Sequence, residues 1–205
     1  LGCSQIIIIF LSHKKIIHMK IGYLAWGSLL WNNSTLNLSN EWKKINVNLP
    51  LNFSRISDNG KGRLTLVIDN ENGINNKIYF APTDVDNLNL AIKNLRLREK
   101  TTSKNIGYIN LKKNDFRSNQ MTPKQLESIK NYAKKNKYDA IVWTDLPSNF
   151  SNITRKKFTI NEALDYINSK YGTQLFGDII EYILMTKIYG KINSPITKEV
   201  MKIKI

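Results

Sequence analysis

The sequence predicts an α+β fold: a small mixed β-barrel or curved sheet with flanking helices and a helical C-terminal extension. Three observations carry this expectation. Short β-type runs punctuated by Asp58-Asn59-Gly60 and Asn72-Gly73 dominate the first part of the chain. Helical apolar spacing with two capping boxes dominates the second part. One further apolar run, Tyr138 to Thr144, lies between helices, so the elements do not alternate regularly as an all-parallel sheet requires. With 205 residues, 41% of them hydrophobic and 23% charged, the chain suits one compact domain with a substantial core.

Leu1 to His18 contain the apolar run Ile6 to Leu11, followed by His13-Lys14-Lys15. The run is too short to span a bilayer, and its charges lie on the wrong side for a secretory signal. Residues 1–18 are therefore read as a non-native or disordered upstream extension, with an added edge strand as the alternative. The working domain is expected to cover residues 19–205, with residues 150–205 forming a helical cap.

Lys20 to Ala25 reads as a buried strand entering the Trp26-Gly27-Ser28 turn. Asn32 to Asn48 is polar and reads as a loop carrying Trp42. Asn52 to Ser57, Arg63 to Asp69 and Lys77 to Ala81 read as a three-stranded meander, with Leu64, Leu66 and Ile68 on one face. Thr83 is expected to cap a helix with Asp84 and Asp86 in its first turn. Its apolar positions are Val85, Leu88, Ile92 and Leu95, and the next member of that series is Glu99. Periodicity thus carries a carboxylate toward the buried face. Burial disfavours the ionised form of a carboxylate, which suits it to proton transfer. The alternative is a helix-end Glu turned to solvent or paired with Arg96 or Arg98.

Ile106 to Leu111 reads as a strand. Thr122-Pro123-Lys124-Gln125 is a capping box, opening a helix with Leu126, Ile129, Tyr132 and Ala133 inward. Tyr138 to Thr144 is a strand, and Thr159-Ile160-Asn161-Glu162 is a second capping box. A helix through Ile179, Ile180, Ile183 and Leu184 ends near Gly190, and Ser194-Pro195 opens a short terminal one.

Composition excludes several chemistries. Cys3, His13 and His18 are the only cysteine and histidines, so from Met19 onward there is neither residue type. Ser-His-Asp and Cys-His catalysis and the usual zinc sites are therefore unavailable in that region, and proton transfer falls to a carboxylate, Lys, Tyr or water. One cysteine permits no intrachain disulfide, which fits a reducing, cytoplasmic compartment. The net charge of +15 raises nucleic acid as a partner, but the basic residues are spread thinly over both halves, as on a lysine-rich solvated surface. Gly22 and Gly27 have the spacing of a phosphate-binding loop, but Ser28 stands where its Lys belongs.

The stretch Gly22 to Trp31 resembles the Gly-Tyr-Gly-Ser-Leu signature of the γ-glutamylcyclotransferase superfamily, most closely its ChaC-like branch. Leu95-Arg96-Leu97-Arg98-Glu99-Lys100 is similar to that branch's Leu-Asp-x-Arg-Glu-Lys segment, whose Glu is the acid/base. Phe53 to Ser57 and Leu64 to Val67 resemble its Arg-bearing strand and returning strand. The resemblance covers Met19 to about Leu111. It implies cofactor-free cyclisation of a small γ-glutamyl substrate to 5-oxoproline, with Glu99 as acid/base. Trp26, Gly27, Ser28 and Leu29 would hold the substrate. Arg55 would contact an anion or form a structural salt bridge. Trp26 departs from the motif's Tyr, Arg96 from its Asp, and Thr101 to Ile106 separates Lys100 from Gly107-Tyr108. No membrane partner is expected, and a homodimer is left open. The alternatives are a non-catalytic anion-binding protein of the same fold and nucleic-acid binding through the lysine surface.

Overall fold

The computed structural model describes residues 18–33, 35–58 and 60–203. Nearly all of the upstream extension set apart above, with Cys3 and His13, lies outside the described residues, as does Asn59 of the first hairpin signal. The strands are β1 (Ile21–Ala25), β2 (Lys43–Ser57), β3 (Arg63–Ile68), β4 (Ile74–Thr83), β5 (Ile106–Asn110), β6 (Asp115–Arg117) and β7 (Ala140–Thr144). The helices are α1 (Leu88–Arg98), α2 (Pro123–Lys135), α3 (Phe150–Thr154), α4 (Ile160–Asn168), α5 (Gln174–Gly190) and α6 (Pro195–Val200).

All seven strands form one mixed sheet in the order β3-β2-β4-β1-β7-β5-β6, with β1 and β7 as its parallel pair. β1 lies at the centre and is buried along its whole length. Its side chains alternate as a strand must: Ile21, Tyr23 and Ala25 join one apolar cluster, and Leu24 joins the other. On β7, Ala140 and Val142 face the first cluster while Ile141 and Trp143 face the second. Helix α1 covers the first face through Ala91, Ile92 and Leu95. Helices α2 and α4 to α6, with Phe150 of α3, cover the second. Residues from Phe150 to Val200 thus share the sheet's larger apolar cluster.

Several expectations need correction. The sheet is open rather than closed into a barrel, because its edge strands β3 and β6 do not pair with each other. Helix α5 lies against β3 instead, and the Tyr182 hydroxyl takes the Leu66 N–H at 3.4 Å. The meander is also wrong: β4 pairs with β2 rather than with β3. β3 runs along the C-terminal half of β2 and β4 along its N-terminal half, the two meeting at Leu51. The chain crosses at Asp69 to Gly73, where a Cβ on Gly73 would lie 2.6 Å from the Pro50 carbonyl carbon. β2 also begins at Lys43, inside the expected loop. Its polar residues Lys44, Asn46 and Asn48 are the outward half of an alternation whose inward half is Ile45, Val47 and Leu49.

The α1 cap is displaced as well. Thr83 ends β4, and its Oγ1 donates to the carbonyls of the Leu36–Asn37 segment. The cap is Asn87, whose Oδ1 accepts from the Leu90 N–H at 3.1 Å. Elsewhere the caps fall as expected. Thr122 and Gln125 make both bonds of a capping box. Thr159 accepts from the Glu162 N–H, but the Glu162 carboxylate pairs with Lys156, so the second box is half made. None of the described helices is long and apolar enough to cross a membrane.

Candidate functional site

A cleft of about 860 Å³ opens at the carboxyl ends of the parallel strands β1 and β7. Ligands commonly bind at such strand ends, where the chain leaves the sheet. Trp26, Gly27, Ser28, Leu29, Arg55 and Glu99 all line it, so the fold gathers every sequence-predicted site residue at one place.

After β1 the chain enters a 3-10 turn over Ser28–Leu30, closed by Leu30 N–H to Gly27 O at 3.0 Å. The first N–H groups of a helical turn have no partner within it, so those of Ser28 and Leu29 are left for another acceptor. Gly27 is required by contact: a Cβ would lie 2.8 Å from the Tyr182 hydroxyl. Trp26 and Leu29 are buried on opposite faces of the sheet and form apolar walls.

Glu99 is set by the end of α1. It is the C-cap, and Lys100 adopts the left-handed conformation with φ 49°. Lys100 N–H to Leu97 O and Thr101 N–H to Arg96 O, both at 3.1 Å, form the paired closing bonds of a Schellman motif. That stop leaves the Glu99 side chain only 16% exposed. Arg98 Nη1 donates to Glu99 Oε1 at 2.5 Å, the pairing that was the alternative for this residue. The same guanidinium donates from Nη2 to Ser28 Oγ at 3.0 Å and from Nε and Nη2 to Asn32 O at 3.1 and 2.6 Å. Arg98 therefore ties the carboxylate to the Gly-Ser turn across 70 residues of sequence. Glu99 Oε2 makes no hydrogen bond among the described residues.

Arg55 reaches the cleft because of a β-bulge. Its register with β3 shifts between Asn52 and Arg55. Before the shift the odd positions Ile45 to Phe53 point into the larger core; after it Ile56 does so. Arg55 and Ser57 are thereby turned to the other face, opposite Thr65 and Arg63. Arg55 Nη1 donates to Pro147 O at 2.9 Å, so its structural bond is to a backbone carbonyl rather than to a carboxylate. Burial pulls the guanidinium pKa down, and Asp58 opposes that shift.

Three further groups belong to the site. Tyr182 on α5 is buried against Trp31 and Phe53, with Arg63 stacked 4.5 Å from its ring centroid. Burial pushes its hydroxyl pKa up, with Glu99 adding to the rise, while the Leu66 N–H, Arg63 and Arg98 oppose it. It remains a neutral donor at physiological pH. Arg63 Nε and Thr144 Oγ1 are buried without partners among the described residues, and both side chains line the cleft. Arg63 was not among the expected site residues, although period-2 alternation with Leu64 and Leu66 turns it away from their face. Nothing in the sequence singled out Tyr182 from the apolar helix around it.

The cleft balances its charges. Arg55, Arg63, Arg98 and Lys100 face Asp58, Glu99, Asp178 and Glu181, so the chain's +15 excess lies elsewhere. Among the described residues no group of three or more His, Cys, Asp or Glu is placed to hold a metal ion. No protein-family model, curated protein or solved structure matches the chain.

Proposed function

We propose that this protein is a γ-glutamylcyclotransferase-like enzyme, converting a γ-glutamyl amine or peptide to 5-oxoproline with release of the amine. The observation that carries the reading is the convergence of the Gly27–Leu29 turn and Glu99 on one cleft, joined through Arg98. The substrate's own α-amine is the nucleophile, so the protein needs to fold the γ-glutamyl chain and manage protons. The α-nitrogen bonds to the carbonyl carbon of the γ-glutamyl amide, and the bond from that carbon to the leaving nitrogen breaks. Glu99 takes a proton from the α-ammonium and delivers one to the departing nitrogen. Arg98 holds Oε1, which leaves Oε2 for both transfers. The Ser28 and Leu29 N–H groups face the substrate carboxylate or the oxyanion of the tetrahedral intermediate. Trp26 and Leu29 exclude water beside the reacting carbon.

Incubation with a panel of γ-glutamyl dipeptides and γ-glutamyl amines, followed by assay for 5-oxoproline, tests the reading. Product from at least one member is expected; none from any would overturn it. A second reading draws on the Arg98–Glu99 pair: a purely structural carboxylate would leave a non-catalytic anion-binding protein. That reading predicts stabilisation by γ-glutamyl compounds without turnover, in wild type and Glu99→Gln alike.

A further inference from the structure

We propose that the protein binds single-stranded nucleic acid at a second, shallower pocket, with a base against Tyr132 and Tyr138 and phosphates on the lysines around them. This pocket lies near the amino ends of β1 and β7, where α2 meets the sheet, and shares no lining residue with the cleft at their carboxyl ends. It stands independently of the cyclotransferase reading.

The pocket has a volume of about 210 Å³. Sites that enclose a drug-sized ligand measure about 300–1,000 Å³, so this one suits a single ring. Its floor is aromatic. Gly22 carries no side chain, and the Phe80 ring fills that space: a Cβ there would lie 2.2 Å from Phe80 Cζ. Tyr138 and Tyr132 pack on Phe80 with ring centroids 4.5 and 5.2 Å away. Both tyrosines are half-buried and line the pocket, and neither hydroxyl makes a hydrogen bond among the described residues. Asn40 and Asn136 complete the wall with amide groups, which can pair with the edges of an unstacked base.

The electrostatics differ from those of the cleft. Lys43 is the one charged residue lining this pocket, whereas the cleft sets four cations against four carboxylates. Lysines far apart in sequence meet at its rim. Lys135 and Lys137 flank Asn136, and both are exposed. Lys20, also exposed, precedes β1, and its carbonyl accepts the N–H groups of Asp139 and Ala140, just beyond Tyr138. Of the nearby carboxylates, Asp139 is already held by Lys112 at 3.1 Å and by the Lys20 N–H at 2.8 Å. Only Glu41 then opposes Lys20, Lys43, Lys135 and Lys137. Cations beside stacking rings suit a single strand, which presents phosphates together with free base faces; a duplex hides those faces. A bilayer would require apolar side chains to insert, and none of the large exposed apolar residues among the described residues lines this pocket.

The test is fluorescence anisotropy with labelled oligo(U), oligo(dT) and a DNA duplex, on variants whose folding circular dichroism has verified. Wild type should bind the single strands, with a log–log salt slope of about −3 if the four lysines each neutralise one phosphate. Lys135→Glu should weaken binding and shallow the slope by about 0.7. Tyr132→Leu, which keeps an apolar contact with Phe80, should weaken binding roughly tenfold, as for one lost base stack, and leave the slope unchanged. Lys93→Glu makes the same charge change on α1, across the sheet, and should have little effect. No binding at low salt, duplex binding as tight as that of the single strands, or equal losses in Lys93→Glu and Lys135→Glu would overturn the site. Sedimentation with phosphatidylserine vesicles that is lost in Lys135→Glu, while neither oligonucleotide binds, would overturn it in favour of a membrane surface. Tighter binding of oligo(U) than of oligo(dT) would identify the strand as RNA, and the reverse as DNA.

Discussion

Gly27 and Tyr182 should be energetically coupled, and the coupling can be worked from two distances. A Cβ at residue 27 would lie 2.8 Å from the Tyr182 hydroxyl oxygen and 3.9 Å from the ring carbon that bears it. The first is well inside van der Waals contact and the second is an ordinary contact. The tyrosine ring cannot easily retreat, because Trp31, Phe53 and the Arg63 guanidinium enclose it. Gly27→Ala must therefore displace the turn or break the bond from the Leu66 N–H to the tyrosine hydroxyl. Overpacking of this kind costs about 1–3 kcal/mol, and an orphaned buried N–H costs a similar amount. Gly27→Ala should lose about 2 kcal/mol, and Tyr182→Phe about 1–2 kcal/mol through the Leu66 N–H alone. In the double variant the hydroxyl is gone and the added Cβ meets only the ring carbon. Its cost should then nearly vanish, giving a coupling of about 2 kcal/mol. Urea unfolding of the four proteins measures this. Additive effects, within about 0.5 kcal/mol, would refute the packing argument.

Other consequences are as concrete. Arg98→Gln should destabilise the fold by about 3 kcal/mol, since it leaves the Glu99 carboxylate unpaired at 16% exposure. Arg98→Lys should recover only part of that loss, because an ammonium cannot span Ser28, Asn32 and Glu99 together; equal stability of wild type and Arg98→Lys in urea would contradict the bridge. Gly73→Ala puts a Cβ 2.3 Å from the Asp69 carbonyl oxygen, so the β3–β4 crossing must open. Thermal unfolding should show a loss of about 3 kcal/mol or more, and a loss below about 1 kcal/mol would speak against the crossing. Stability should also fall with alkaline pH. Burial raises the hydroxyl pKa of Tyr132, Tyr138, Tyr166 and Tyr182. Unfolded tyrosines lose their protons near pH 10, so above about that value the native state binds more protons and the urea midpoint should drop. Tyr182→Phe should shallow the drop; a midpoint that is flat or rising would contradict it.

Much of the architecture was legible where it depends on local chemistry. The Thr122–Gln125 box and the alternation of Leu64, Leu66 and Ile68 follow from residues within one or two turns of each other. The remainder depends on non-local pairing. Nothing in Asn52 to Arg55 announces that a bulge will turn Arg55 from the core to the cleft. The order β3-β2-β4 requires a crossing that Asn72-Gly73 alone reads as a simple turn. Lys44, Asn46 and Asn48 read as loop because their polarity outweighed the alternation with Ile45, Val47 and Leu49. Tyr182 belongs to the site only because α5 covers an edge strand that a closed barrel would not possess.

The central claim is that Glu99 moves protons in a γ-glutamyl cyclisation, and the rate of 5-oxoproline formation from γ-glutamylglycine by wild type and Glu99→Gln tests it most directly. Wild type should form the product, and Glu99→Gln should lose at least about a hundredfold in kcat, in line with removal of a general acid/base. Absence of product from wild type, or equal rates from the two proteins, would contradict the account.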